Sequence, residues 1–333
     1  MKRRPIPVMA GSGRVRALTR GAAGAQDGRM ALTEAPMIWM DGALVPWQQA
    51  QVHVLTHGLH YGTGVLEGTR VFPTAEGPAV FRLADHLRRL ERSARMLRID
   101  LPHSEEELAK ATVELVRANG HQACYLRHFA FLGYGSMGLD MRSSPTSTVI
   151  ASWDALTAVE GGGAAIRVKT SSWQRTSPNA VPNAAKATGP YLNSVLARRE
   201  ATDAGYDEAL LLNADGFVSE CSAENVFAVR DGVLRTPPAG AGALEGITQD
   251  TLLTLARDLG VPVRVENLLR SDLYAADEVF ISGTAAGVVP VRSLDDRELP
   301  AAPGPLTVRL GALYEAVVAG AEPRYRKWLT PVR

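Results

Sequence analysis

The sequence has few cysteines, no long apolar run and almost no net charge. Cys124 and Cys221 are the only cysteines in 333 residues, and their spacing suits neither a metal site nor a redox pair. We therefore expect no disulfides, no bound metal and a cytoplasmic location. No stretch reaches the roughly 18 apolar residues that a membrane-spanning helix needs. The formal net charge of +1 gives no electrostatic reason to bind nucleic acid or an anionic membrane.

Acidic residues are also scarce at the start of the chain. Residues 1–36 are rich in Arg, Gly and Ala, show no periodicity and contain almost no acids. This composition predicts a disordered N-terminal extension, or a start placed too early, with Met30 or Met37 as the true first residue. A transit-like leader is the alternative, because such leaders are rich in arginine and poor in acids.

Residues 37–154 are predicted to form a small domain that mixes strands and helices. The hairpin signal Asp41-Gly42 lies between two short strands. An apolar stripe predicts a helix over Arg82–Leu97, with arginines on its opposite, polar face. A capping box predicts a second helix over Ser104–Asn119. Strands before and after these helices complete an α+β domain.

Residues 165–333 are predicted to form a larger domain that is rich in strands. A linker at 155–164, which contains three consecutive glycines, separates it from the small domain. Its β-hairpins are flanked by predicted helices, which cover Gln249–Leu259, Leu306–Ala319 and a segment from Pro190 to about Asp203. In the last of these helices, Leu192, Val195 and Leu196 are expected to face inward.

Lysine is scarce as well, since only five of the 36 basic residues are lysines. One of them, Lys186, stands in Asn183-Ala184-Ala185-Lys186-Ala187-Thr188-Gly189-Pro190-Tyr191, where its neighbours are small and weakly polar. An amine in such a setting can be desolvated and can form an imine with a carbonyl, which a guanidinium cannot. A surface lysine is the simpler interpretation of this residue taken alone. Its role therefore depends on residues further along the chain.

A pyridoxal phosphate bound to Lys186 would need two further kinds of group. Its phosphate needs cations and backbone N–H donors, which Gly246-Ile247-Thr248 before a helix and the small-residue loop Gly283–Gly287 can supply. Arg82, at the start of a predicted helix, is a candidate cation. The pyridine nitrogen needs an acid, and Glu220 at the end of a predicted strand is the candidate. Together these features predict a pyridoxal phosphate site.

The order and spacing of the motifs resemble those of the class IV (fold type IV) pyridoxal-phosphate aminotransferases, most closely the bacterial branched-chain enzymes. The resemblance runs from about Ile38 to the C-terminus. The matching motifs are His60-Tyr61-Gly62-Thr63, Leu66-Glu67-Gly68-Thr69-Arg70, Val80-Phe81-Arg82, Tyr125-Leu126-Arg127, Ala184-Ala185-Lys186-Ala187, Ser219-Glu220, Gly246-Ile247-Thr248 and Ser282-Gly283-Thr284-Ala285-Ala286. The resemblance implies a two-domain α+β enzyme that works as a homodimer or a higher homo-oligomer.

The resemblance also implies a role for each matching residue. Lys186 would be the catalytic Schiff-base lysine and proton shuttle, Glu220 would pair with the pyridine nitrogen, and Tyr191 would bond the phenolic oxygen. The implied phosphate ligands are Arg82, Ile247, Thr248 and Thr284. The implied ligands of substrate carboxylates are Tyr61, Arg127 and the backbone of Thr284-Ala285-Ala286. The implied side-chain pocket is shaped by Leu66, Gly68, Trp153, Ala286 and Leu139 of the partner subunit.

The trio Tyr125-Leu126-Arg127 resembles the type that acts on branched-chain L-amino acids, namely leucine, isoleucine and valine, with 2-oxoglutarate as acceptor. An arginine at the rim of an apolar pocket can accommodate both an aliphatic side chain and a γ-carboxylate. Leu66 stands where the family commonly has phenylalanine, which leaves the preferred amino acid open. A D-amino acid or amine transaminase, or an aminodeoxychorismate lyase, of the same fold is the alternative. A cofactor-free binding or assembly protein is a further one, against which Lys186 and Glu220 argue.

Overall fold

The computed structural model describes residues 33–154 and 164–333, which contain both strands and helices. The strands are β1 (Met37–Met40), β2 (Ala43–Pro46), β3 (Gly64–Thr74), β4 (Gly77–Phe81), β5 (Cys124–Leu132), β6 (Thr146–Trp153), β7 (Ile166–Thr170), β8 (Glu208–Leu212), β9 (Val218–Cys221), β10 (Asn225–Arg230), β11 (Val233–Thr236), β12 (Val263–Val265), β13 (Glu278–Gly283), β14 (Gly287–Leu294), β15 (Arg297–Glu298) and β16 (Leu329–Pro331). The α-helices are α1 (His57–Tyr61), α2 (Leu83–Met96), α3 (Glu105–Ala118), α4 (Tyr191–Asp203), α5 (Ile247–Asp258), α6 (Arg270–Tyr274) and α7 (Pro305–Val318). This mixture confirms the predicted α+β class.

The strands of the described residues form two sheets. The first has seven antiparallel strands in the order β16-β4-β3-β5-β6-β1-β2. The second has nine strands in the order β12-β11-β10-β13-β14-β7-β8-β9, with β15 beside β14, and it includes parallel pairs. Parallel neighbours require a crossover connection. The crossover from β7 to β8 carries both Lys186 and α4.

The two faces of the first sheet have different partners. Successive side chains of a strand point to opposite faces, and Val65, Val71 and Leu126 lie on the face that packs against α2 and α3. On the other face, Phe72 joins a second core that includes Phe280 and α7. The segment that carries Lys186 lies against the backbone of β3, where Val65 pairs with Ala187 and the Leu66 N–H donates to the Lys186 carbonyl.

Helix α2 confirms the predicted element but shows a second buried face. Leu83, Leu87 and Leu90 are buried, as the apolar stripe predicts. Arg89 and Ser93, which belong to the predicted polar face, are also buried. They are buried because this side of α2 lies against β3 and the Lys186 segment rather than against solvent. One edge of the polar face of α2 is thus part of the interior, while Arg88, Glu91 and Arg92 stay exposed.

Helix α4 buries a different face from the one that the sequence predicts. Leu192 and Val195, expected to face inward, are 65% and 59% exposed. The helix instead buries Ser194, Ala197 and Ala201. Ala197 and Ala201 are small enough to let the helix approach β8 closely, and they form a cluster with residues of that strand. The inward assignment of the two large side chains was wrong.

The other predicted helices lie close to their expected bounds. Helices α3, α5 and α7 begin and end within two residues of the predicted limits, and the capping box joins Ser104 to Glu107. None of the helices in the described ranges is long and apolar enough to cross a membrane. Residues 1–32 of the predicted extension and 155–163 of the predicted linker lie outside the described residues. The domain limits at 37–154 and 165–333 therefore stay predictions.

Candidate active site

Lys186 is held in place by its backbone. Its N–H donates to Ser93 Oγ on α2 at 3.0 Å, and its carbonyl accepts from the N–H of Leu66 on β3 at 2.9 Å. Its side chain lines a cleft between β9, the start of α4 and the segment before α5. Because neighbouring elements fix both backbone groups, the amine is presented at a defined place in the cleft.

Small and polar residues surround this amine. Its Nζ lies 5.6 Å from the ring centroid of Tyr191, the first residue of α4. The other residues that line the cleft are Arg175, Asn183, Ala185, Ala187, Pro190, Ser194, Glu220, Ser222, Ala223 and Leu244. Ala185 and Ala187 are buried on either side of the lysine, so little side-chain bulk stands next to the amine. The structure thus brings Lys186, Tyr191 and Glu220 together.

Glu220 contributes a buried carboxyl from β9 to the same cleft. Its Oε1 lies 2.7 Å from Arg175 Nη2, and its Oε2 accepts from the N–H of Leu244 at 2.9 Å. Burial raises the pKa of Glu220, and the positive charges of Arg175, Lys186 and Arg89 oppose that rise without cancelling it. A carboxyl in this environment binds strongly to a nearby donor, because it has exchanged water for few fixed partners.

The segment after Leu244 leads directly to a helix N-terminus. The carbonyl of Glu245 accepts from Arg89 Nη1 at 2.7 Å, and α5 begins two residues later at Ile247. Ile247 and Thr248 are the first two residues of α5 and are buried. A Cβ at Gly246 would overlap Asn225 Oδ1, so glycine is required there. These first N–H groups lie where the sequence predicts phosphate binding.

Arg82 is occupied by other partners. Its Nε lies 2.6 Å from Asp85 and its Nη1 lies 2.6 Å from Asp250 and 3.1 Å from Thr251. Two carboxylates therefore already neutralise this guanidinium, which links the start of α2 to α5. Its backbone has a φ of +52° and donates to the carbonyl of Trp328. These contacts place the guanidinium beside the first turns of α5, and its role as a phosphate ligand stays a prediction.

Arg89 is a buried arginine of α2 that lies behind the residues lining the cleft. It forms a two-pronged ion pair with the fully buried Glu67, at 2.6 Å and 2.9 Å. Glu67 also lies 2.7 Å from Nδ1 of His86. Burial alone would raise the pKa of Glu67, but Arg89 and His86 outweigh it and the pKa is lowered. Burial lowers the pKa of His86, so the cluster consists of an ionised pair and a neutral imidazole.

The charge of Arg89 influences the pKa of a carboxyl group in the cleft. It acts on the carboxyl of Glu220, whose burial-raised pKa it helps to hold down. Burial disfavours the charge of Arg89 itself, but Glu67, Tyr191 and Tyr125 favour it, so that the pKa is raised. The charged groups that set the pKa of Arg82 are Asp85 and Asp250. Arg89, two helical turns beyond Arg82, therefore shares its electrostatic environment with the lysine cleft.

Four predicted pocket residues lie on one face of the first sheet. Leu66 and Gly68 are two residues apart on β3 and therefore lie on the same face of the sheet. Gly68 pairs with Arg127 on β5. Trp153 on β6 pairs with Tyr125 on β5, and their rings are 4.9 Å apart. Residues directly opposite each other in an antiparallel sheet share a face. A Cβ at Gly68 would overlap the Tyr125 hydroxyl, so this glycine makes room for that ring.

Besides Arg127 within β5, the residues predicted to bind substrate carboxylates lie at the ends of secondary-structure elements. Tyr61 is the last residue of α1 and is 40% exposed. Thr284, Ala285 and Ala286 form the turn between β13 and β14. The side chain of Arg70 joins this turn to β3, because its Nη1 lies 3.4 Å from the carbonyl of Ala285. The turn is therefore held next to the sheet face that carries the predicted pocket.

Leu139 does not reach the cleft of its own chain. It lies in the loop between β5 and β6 and is 83% exposed. An apolar side chain this exposed is consistent with the prediction that it serves a partner subunit, and that prediction remains untested.

Sequence reasoning missed several residues of the site. Arg82 immediately precedes α2 and Arg89 lies within it, and no sequence pattern predicts that Arg89 is buried against Glu67. Arg175 lies in a loop without periodicity. Tyr125 lay within a matching motif but was not assigned a role, although glycine opposite a large aromatic was a usable signal.

Comparisons with known proteins agree with this geometry. The family model "Amino-transferase class IV" matches residues 64–294. The branched-chain-amino-acid aminotransferase of Escherichia coli K12 is 41% identical over 307 residues, covering 91% of this chain and 99% of that protein. A branched-chain amino acid aminotransferase from T.th., solved with N-(5'-phosphopyridoxyl)-L-glutamate, superposes with a TM-score of 0.86 at 44% identity, covering 90% of this chain and 99% of that one.

A second solved structure leads to the same group. The branched-chain aminotransferase of Thermoproteus uzoniensis, solved with norvaline, gives a TM-score of 0.86 at 44% identity and covers 90% of this chain and all of that one. The family match extends over more than half of the chain and includes Lys186, Tyr191 and Glu220. With the cleft, the two sheets and these comparisons in agreement, the chain belongs to the class IV aminotransferases.

Proposed function

We propose that the protein is a pyridoxal-phosphate-dependent aminotransferase that transfers the amino group of leucine, isoleucine or valine to 2-oxoglutarate. The products are the branched-chain 2-oxo acids and L-glutamate. The observation that carries the proposal is that Glu220 on β9 meets Lys186 and Tyr191, which belong to one segment of the β7–β8 crossover, in a single cleft. The relatives that are named branched-chain aminotransferases support the substrate class.

The residues of the cleft fit pyridoxal phosphate. Lys186 offers a primary amine for covalent attachment, Glu220 offers a buried acid for the pyridine nitrogen, and the Tyr191 ring stands beside the lysine. The start of α5, at Ile247 and Thr248, offers free N–H groups for the phosphate. When bound, the cofactor supplies an electron sink that stabilises negative charge at the substrate α-carbon.

Arg89 replaces Arg82 as the proposed cation for the phosphate. Arg89 bonds the Glu245 carbonyl immediately before α5 and shares its electrostatic environment with Glu220 and Tyr191. Arg82 is paired with two carboxylates, Asp85 and Asp250, whereas Arg89 is paired with one, Glu67. Thr284 remains the proposed ligand from the β13–β14 turn.

Lys186 is the residue proposed to move protons. Its Nζ would take the proton from the substrate α-carbon as a general base and later return one as a general acid. The hydrogen bonds of its backbone to Ser93 and Leu66 keep the amine within reach of that carbon. Glu220, anchored by Arg175 and the Leu244 N–H, would hold the hydrogen bond to the pyridine nitrogen.

The open face of the first sheet is the proposed substrate pocket. Leu66, Gly68 and Trp153 would surround an aliphatic side chain, while Arg127 at the rim would receive the γ-carboxylate of glutamate. The remaining ligands proposed for substrate are Tyr61 for the carboxylate, and Thr284, Ala285 and Ala286 through their backbone.

The proposal includes a homodimer, or a higher homo-oligomer built from it. Apolar side chains around α1 and the β5–β6 loop are exposed, which is typical of a surface that another chain covers. They are Val54, Leu59, Tyr134, Met137 and Leu139. Leu139 of the partner subunit would complete the side-chain pocket. We also propose a cytoplasmic location, supported by the unpaired, buried Cys124 and Cys221.

A substrate panel tests this function. The purified protein, supplied with pyridoxal phosphate and 2-oxoglutarate, should form L-glutamate from leucine, isoleucine and valine, and D-alanine should be a poor donor. Activity with D-alanine alone would contradict the branched-chain assignment. The Lys186→Ala variant should lose transamination, and borohydride should no longer fix the cofactor to the chain. Turnover by this variant would show that another residue carries the chemistry.

A further inference from the structure

His57 is a buried residue at the start of α1 with contacts on three sides. Its Nε2 lies 2.9 Å from the carbonyl oxygen of Gly138, and its Nδ1 lies 2.7 Å from the hydroxyl of Thr63. Its ring centroid lies 4.7 Å from that of Tyr61. A carbonyl can only accept, so Nε2 carries a proton. In the neutral ring, Nδ1 then accepts a hydrogen bond from the Thr63 hydroxyl.

These contacts connect α1 to the loop of residues 133–145, which joins β5 to β6. At the base of the loop, His57 N–H donates to the carbonyl of Gly133 at 3.2 Å, and Gly133 N–H donates to that of Pro145 at 2.7 Å. The imidazole holds a second point, Gly138, five residues further along the loop. The loop is thus attached to α1 both at its base and beyond it.

The second attachment point is next to Leu139. Gly138 has a φ of +118°, a conformation that other residues rarely adopt, and Leu139 follows it with an 83% exposed side chain. A fixed Gly138 carbonyl fixes the direction in which Leu139 leaves the surface. Tyr61, which packs on the other side of the imidazole, belongs to the proposed substrate site of its own chain.

We propose that His57 is a positioning residue that acts across the dimer, by setting the place of Leu139 in the pocket of the partner subunit. The inference rests on the proposed function, because that function places Leu139 of the partner subunit at the substrate side chain. His57 itself touches no substrate. Its effect should appear in the selectivity between aliphatic side chains rather than in cofactor binding.

His57→Phe separates the hydrogen bonds from ring packing. Phenylalanine keeps an aromatic ring against Tyr61 but cannot donate to Gly138. A methylene in an apolar pocket is worth about 10–200-fold in kcat/KM, and because Leu139 is displaced rather than removed, the leucine-to-valine ratio of kcat/KM should change by less than this, about fivefold. His57→Gln keeps an amide donor and should recover part of the ratio. The matched control is His60→Phe, since His60 bonds Val54 outside the loop.

Mixed dimers decide in which subunit His57 acts. Two differently tagged chains are combined so that one carries Lys186→Ala and only the other can turn over substrate. When His57→Phe is placed on the Lys186→Ala chain, the intact site should show the altered leucine-to-valine ratio. When it is placed on the active chain, the ratio should stay that of the wild type. Retention of leucine and valine turnover by the wild-type dimer confirms separately that the proposed function holds.

Three outcomes would overturn the inference. The altered ratio could follow the active chain, which would show that His57 works through Tyr61 of its own site. The leucine-to-valine ratio of kcat/KM could stay that of the wild type in every combination of chains, for both His57→Phe and His57→Gln. His60→Phe could change the ratio as much as His57→Phe, which would show a general effect of α1. A wild-type protein that turns over neither leucine nor valine would instead refute the proposed function.

Discussion

Replacing Arg89 by lysine tests whether Arg89 or Arg82 is the arginine that binds the phosphate of the cofactor. Lysine keeps a positive charge beside the buried Glu67, whereas removal of the charge would leave that carboxylate unpaired at a cost of about 3–5 kcal/mol. A single ammonium group cannot reproduce the two bonds to Glu67 together with the bond to the Glu245 carbonyl at 2.7 Å. The variant should therefore fold while the segment before α5 loses one of its attachments.

The size of the effect follows from the bond that is lost. A hydrogen bond to a charged group contributes about 1.5–3 kcal/mol. Since each 1.4 kcal/mol corresponds to a factor of about ten, we expect roughly 10- to 100-fold weaker cofactor binding by Arg89→Lys. Arg82→Lys, at the residue that immediately precedes α2, is the matched control. It should lower the melting temperature through its lost contacts to Asp85 and Asp250 but leave cofactor affinity unchanged.

Two measurements separate affinity from stability. Apoenzyme is titrated with pyridoxal phosphate and followed by its visible absorbance. Thermal unfolding is then compared with and without cofactor, because a ligand at 100 times its Kd stabilises the folded state by about 2.7 kcal/mol. Arg89→Lys should show a smaller cofactor-dependent shift than the wild type. If Arg82→Lys loses cofactor affinity and Arg89→Lys does not, the phosphate belongs to Arg82 and the reasoning is wrong.

Two further variants test the pocket wall and the buried acids. Gly68→Ala places a Cβ against the Tyr125 hydroxyl, and displacement of that ring should lower kcat/KM for leucine on the order of 100-fold with cofactor binding retained; unchanged kinetics would contradict this. Burial is the main cause that raises the pKa of Glu224, and the Glu208 carboxylate raises it further. The positive charge of Arg198 partly offsets this rise. The folded chain thus keeps a proton that the unfolded chain releases, so stability should fall as pH rises above the ordinary carboxyl range. Glu224→Gln should flatten that dependence in melting temperatures, and parallel wild-type and variant curves would refute it.

The amino-acid sequence determined the local chemistry of the site. Lys186 among alanines, Glu220 at a strand end and Gly246-Ile247-Thr248 before a helix were all identified from residue type and spacing. The limits of α2, α3, α5 and α7 also followed from apolar periodicity and capping, because these depend on neighbours in the chain. Such features are encoded within a few residues and need no knowledge of distant segments.

The tertiary structure decided which side of each element is buried. Arg89, predicted on the polar face of its helix, is buried because β3 and Glu67 cover that part of α2. Ala197 rather than Leu192 faces β8, because close packing against a strand selects the small residue. Burial is set by segments far away in sequence, whereas periodicity describes one element alone. The sequence therefore determined the kind of groups at the site, and the packing of the two sheets determined which copies of those groups meet.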